Sequence, residues 1–142
     1  MIGVVVVTHG QLATELVNAA EMIVGDLPHF TAVSIGWHDD VDDARDEIRQ
    51  VIARLQQSCS AILLLTDMFG GTPANLGLTF LEAGSVEVVT GVNLPMLLKL
   101  ARLQSSDDLR DVARQMCDAG RNAIWVASEL LNTEGKGGGQ AP

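Results

Sequence analysis

The chain has 142 residues, 47% of them hydrophobic and 19% charged, a composition that sustains one sizeable core and excludes a disordered polypeptide. Nine Lys and Arg against 18 Asp and Glu leave a formal charge of −9, so the basic footprint of a nucleic-acid binder is absent and an anionic membrane would repel the chain. No apolar run is longer than Ala61 to Leu65, which is far short of a membrane span. Val4 to Val7 is too short for a signal peptide and has no basic lead. A reducing cytoplasm is therefore expected. Cys59 and Cys117 agree with that compartment: they lack zinc-site spacing and read as packing residues.

Ile2 to Val7, nearly all valine, predicts a strand buried on both faces, ended by Thr8-His9-Gly10. Leu12, Leu16, Ala20 and Ile23 then fall on one helix face, with Gly25 as the stop. Phe30 to Ile35 is a second, weaker strand. Val41 to Leu55 is the clearest helix, striped by Val41, Ala44, Ile48, Val51, Ile52 and Leu55. Ala61 to Leu65 is a third strand, followed by a Gly-rich loop from Thr66 to Thr72 and a helix opened by Pro73. Val86 to Thr90 is a fourth strand, and Gly91-Val92-Asn93 leads into a helix with Pro95 in its first turn. A further helix is expected from Asp107 to Ala119 with Gly120 as its stop, then a short last strand from Asn122 to Ala127.

This alternation predicts an α/β protein: an open, mostly parallel, doubly wound sheet of order 2-1-3-4 with helices on both faces. The last strand is expected as an antiparallel edge. Residues 1–130 form one domain on this reading, and residues 131–142, with Gly137-Gly138-Gly139, a flexible tail.

In such sheets, ligands bind beyond the carboxyl ends of the strands where the strand order reverses. With order 2-1-3-4 that point lies between strands one and three, which brings His9 and Thr66-Asp67 into neighbouring loops. An imidazole there is a candidate nucleophile, and a carboxylate on Nδ1–H fixes its tautomer and leaves Nε2 free. Gly70-Gly71 lets the backbone approach a ligand closely. Thr72 stands where an N-cap belongs, with a hydroxyl that also suits an oxyanion. Nucleophile, orienting carboxylate and anion cradle together suit phosphoryl transfer through a phosphohistidine.

These residues carry a family resemblance. Val5 to Gly10, Ala20-Glu21-Met22 with Gly25, Thr66 to Asn75 and Gly91 to Leu97 resemble, in order, the signatures of the IIA component (EIIA) of the mannose-family sugar phosphotransferase system. The resemblance implies a cytoplasmic phosphocarrier that accepts a phosphoryl group from phospho-HPr on His9. It passes the group to a IIB partner, which serves the membrane IIC and IID components. It implies Asp67 as the partner of His9, and Gly70, Gly71 and Thr72 as phosphoryl-binding residues. It also implies a homodimer in which Asn122 to Ala127 joins the partner's sheet. No metal and no organic cofactor is expected.

Phe69 stands where the family often has Trp, and Gly36-Trp37-His38-Asp39 replaces the expected Pro-Gly-type turn. Trp37 reads equally as a half-buried anchor or a partner contact. His38 with Asp39, Asp40, Asp42 and Asp43 reads as a solvated acidic helix start rather than a metal site, with docking against a basic donor as a second use. With no IIB sequence following, two roles stay open: transport with a separate IIB chain, or a stand-alone regulator whose phosphorylated histidine switches a partner. A flavin or nucleotide site fails for want of Gly-x-Gly-x-x-Gly or a P-loop lysine.

Overall fold

The computed structural model describes residues 1–103 and 108–135. Four parallel strands, β1 (Ile2–His9), β2 (Phe30–Ile35), β3 (Ala61–Thr66) and β4 (Val86–Thr90), lie in the order β2-β1-β3-β4, as the alternation predicts. Between and after them run α1 (Leu12–Val24), α2 (Val41–Gln56), α3 (Thr72–Leu78), α4 (Leu94–Ala101), α5 (Leu109–Asn122) and α6 (Ala127–Gly135). Among the described residues no helix is long and apolar enough to cross a membrane.

Strand periodicity divides the core in two. Val4, Val6, Leu63 and Leu65 point to the face covered by α1, α4 and α5, while Val5, Val7, Ile62 and Leu64 point to the face covered by α2 and α3. All eight are at most 1% exposed, which is why β1 and β3 read as unbroken apolar runs rather than alternating ones. On the second face, α2 buries Ala44, Ile48, Val51, Ile52 and Leu55 as its stripe predicts, and Asp40 caps it by accepting from the Asp42 and Asp43 N–H groups.

The apolar stripe expected for α1 is rotated. Ala13, Val17 and Ala20 are buried, whereas Leu12 and Ile23 are exposed. Leu16 of the expected stripe and Val24 are partly buried against the same core, so the face turned inward is centred on Ala13, Val17 and Ala20. Gly120 does not end a helix: it sits inside α5, where an added Cβ would come within 2.9 Å of Met96 Cε, so its bareness serves the α4–α5 contact. The start expected at Asp107 lies outside the described residues, and α5 begins at Leu109 after Asp108.

The predicted last strand is absent from this chain. Asn122 ends α5, residues 123–126 form a connection, and Ala127 opens α6. A strand needs a neighbour for its N–H and C=O groups, and this segment pairs with none of the four. The Ile124 N–H turns back to Arg121 O instead. The expected tail is helical as far as Gly135, and residues 136–142 lie outside the described residues.

Truncating Leu64, which is 0% exposed in the middle of β3, should cost about 2–5 kcal/mol. Urea denaturation of Leu64→Ala against the parent measures it. Met22→Ala, at a residue 88% exposed, should change stability by no more than about 0.5 kcal/mol.

Candidate active site at the carboxyl ends of strands one and three

β1 and β3 are neighbours in register, Val7 beside Thr66. β1 therefore runs two residues past that pair to His9, and β3 passes at once into Asp67. This is the reversal point of the sheet, from which α1 departs to one face and α3 to the other. The two groups expected to meet do so: His9 Nδ1 lies 2.8 Å from Asp67 Oδ2. The same oxygen accepts the His9 backbone N–H at 3.0 Å, and Oδ1 accepts the Met68 N–H at 3.0 Å.

These bonds decide the tautomer. An ionised carboxylate only accepts, so the proton of the pair sits on Nδ1, and Nε2 carries the lone pair when the ring is neutral. Burial by itself would raise the Asp67 pKa. Hydrogen bonds from the His9 ring and backbone N–H, the charge of the ring, and its own backbone N–H outweigh it and hold the carboxyl below its ordinary value. Asp67 is 14% exposed in its side chain and His9 53%, so the carboxylate is sheltered while the imidazole is open to solvent.

The Gly-rich loop contributes through two different properties. Gly70 has φ of 79°, the left-handed region where an L side chain is strained, and an added Cβ there would meet nothing. Gly71 is extended, with φ 176° and ψ 171°, a conformation open to any residue. Its bareness answers to His9: an added Cβ would fall 3.1 Å from Cε1 and 3.4 Å from Nε2 of the imidazole. The ring is thus held by Asp67 at Nδ1, and the bareness of Gly71 leaves room for its Cε1–Nε2 edge. The structure gives no contact between Gly70 and His9.

Thr72 departs from its expected role. Gly71 occupies the N-cap of α3, Thr72 is the first helical residue, and no side chain caps the helix. Pro73 follows Thr72, and its fixed φ starts the helix without a cap. The Thr72 hydroxyl is left free for other use. With His9, Gly10, Ile35, Gly36 and Trp37 it lines a cavity of about 460 Å³.

Thr8 was not singled out in the sequence and proves structural to the site. Its side chain is fully buried, and Oγ1 accepts the Ala13 N–H at 2.6 Å, doing the capping that Gln11 does not. A threonine five residues before a helical N–H is the signal that would have found it. Asn93 caps α4 through Met96 N–H and also donates to Gly120 O, tying α4 to α5. His29 is partly buried edge-on to Phe30. Burial, then the N-terminal charge, lowers its pKa.

Two glycine variants separate these roles. Gly71→Ala should keep the fold while shifting the His9 ring resonances in NMR. Gly70→Ala should lose about 1–2 kcal/mol in urea denaturation and leave the His9 signals in place. Because the folded Asp67 pKa is depressed, its stabilising contribution is present above the unfolded value of about 3.9 and is lost as pH falls through the lower folded value. The stability gap between the parent and Asp67→Asn should therefore be open at pH 6 and close in strong acid.

A family model described as the PTS system fructose IIA component matches residues 3–117. The PTS system sorbose-specific EIIA component of Lacticaseibacillus casei is 31% identical over 134 residues, covering 94% of this chain and 96% of that one. The PTS system fructose-specific EIIA component of Bacillus subtilis (strain 168) is 28% identical over 132 residues, covering 92% and 90%. Among solved structures, the PTS IIA protein associated with the fucose utilization operon from Streptococcus pneumoniae matches with a TM-score of 0.83 at 26% identity, covering 92% of this chain and 96% of that one. The family match over residues 3–117 and a relative 31% identical along almost the whole of both chains show that the chain belongs to the mannose-family IIA components of the sugar phosphotransferase system.

Proposed function

We propose that the protein is a cytoplasmic phosphocarrier in which His9 Nε2 takes a phosphoryl group from phospho-HPr and yields it to a IIB component. IIB in turn serves the membrane IIC and IID components. The observation that carries this reading is the 2.8 Å contact that commits Nδ1 to Asp67. The Nε2 lone pair forms the new N–P bond as the donor's bond to phosphorus breaks, and the electron pair of that bond returns to the donor. The ring retains its Nδ1 proton and gains positive charge, which faces the Asp67 carboxylate. Transfer to IIB runs the same exchange in the other direction.

Positioning and electrostatics suffice for such a step, so no metal or organic cofactor enters this scheme. The Thr72 hydroxyl, sharing a cavity with His9, suits the phosphoryl oxygens. Among the described residues the Gly70 and Gly71 N–H groups meet no acceptor within the chain, which leaves both for the same purpose. The purely regulatory role is not favoured, since the relatives compared carry transport-system names.

We also read residues 1–130 as one IIA unit that works as a homodimer, with residues 122–127 passing to the partner's sheet. Ile124, Trp125 and Val126 are 75%, 47% and 59% exposed in the single chain, and the outer edge of β4 has no neighbouring strand among the described residues.

Incubation with phosphoenolpyruvate, enzyme I and HPr should add one acid-labile phosphoryl group to the intact mass, and none to His9→Ala. An alanine variant that is still phosphorylated removes His9 from the scheme. Asp67→Asn should slow the gain by roughly 10²-fold, because a neutral amide no longer fixes the tautomer or meets the ring's charge.

A further inference from the structure

Resting on the carrier reading, we propose that Trp37 anchors the donor-docking surface, and that the cavity between Trp37 and His9 seats an apolar side chain of a donor whose contact face is basic. That cavity, about 460 Å³, has His9 and Thr72 among its lining residues as well as Trp37, so one depression holds both the reacting ring and the indole. Trp37 is 93% exposed, above every other large apolar side chain in the described structure. An exposed tryptophan at the edge of a reacting site combines large apolar area with few rotatable bonds. Residues of this kind dominate binding energy at protein interfaces.

The local structure presents the indole rather than merely failing to bury it. His9 pairs with Ile35, so the turn that follows Ile35 emerges beside the reacting ring. Asp39 closes that turn: its Oδ2 accepts the Gly36 N–H at 2.5 Å, and its own N–H reaches Gly36 O at 3.3 Å. Gly36 leaves room for this clasp, because an added Cβ would crowd the Asp39 carboxylate at 3.0 Å. His38 stands edge-on to the indole with centroids 6.3 Å apart.

Charge selects the occupant. Soon after Trp37 come Asp39, Asp40, Asp42 and Asp43, all exposed, and among the described residues Arg45 alone is paired with them, through Asp42. A partner that brings its own reactive group to His9 must pass this acidic segment, and complementary charge raises the rate of productive encounter. The face that fits is therefore basic around an apolar side chain.

The test follows single-turnover transfer from phospho-HPr to the full chain by intact mass, over a range of donor concentrations. Trp37→Ala should raise the half-saturating donor concentration about tenfold or more and leave the saturating rate within about twofold. Trp37→Phe should recover most of the loss. Asp43→Asn should lower the second-order rate and flatten its dependence on salt. An unchanged half-saturation in Trp37→Ala, with the parent phosphorylated normally, overturns the docking role and leaves the carrier reading intact. A fall confined to the saturating rate overturns it as well, since Trp37 then acts on transfer rather than docking. A parent that takes no phosphoryl group at all overturns the carrier reading and this inference with it.

Discussion

The site depends on one hydrogen bond between neighbouring parallel strands. A carboxylate has no proton to give, so Asp67 at 2.8 Å from Nδ1 forces the His9 proton onto that nitrogen and turns the other outward. The bond exists because β1 and β3 are adjacent and in register, with Val7 beside Thr66, although His9 and Asp67 are 58 residues apart in the chain. The fully buried side chains of those two strands fix the register. A slip of one residue would turn each apolar set to the opposite face and part the imidazole from the carboxylate.

Around that bond the same residue type does different work at successive positions. Gly70 is required by the backbone, which turns through positive φ. Gly71 is required by the histidine, whose ring leaves no space for a Cβ although the backbone would accept one. The distinction bears on chemistry. Gly70 shapes the loop, whereas the bareness of Gly71 leaves room for the imidazole where Asp67 holds it. Thr8 adds a separate restraint, since its buried hydroxyl holds the start of α1 directly after His9.

Apolar surface left in water is concentrated away from the two cores. Trp37 and Phe69 stand on the loops after β2 and β3, at the end of the sheet that carries His9, and Ile124 to Val126 follow α5. The first group suits transient docking, where partners must leave after transfer. The second is continuous along the chain and suits a lasting contact between copies.

Much was determined by sequence alone. Valine-rich and leucine-rich runs, the α2 stripe and the glycine and proline punctuation specify an α/β sheet, since buried parallel strands need no polar alternation. Assuming order 2-1-3-4, they also place His9 opposite Asp67. Tertiary structure decided what depends on close approach. The α1 face turned inward is centred on Ala13, Val17 and Ala20, with Leu16 and Val24 partly buried beside them, so Leu12 and Ile23 of the apolar set are left in water. Gly120 became a packing site rather than a stop because Met96 lies against it. Thr72 lost its cap to Gly71, and residues 122–127 stayed out of the sheet because a strand's hydrogen bonds need a neighbour that local sequence does not supply. Gly71 against the imidazole and Trp37 across the cavity from it are distances between remote segments, and only the folded chain sets those.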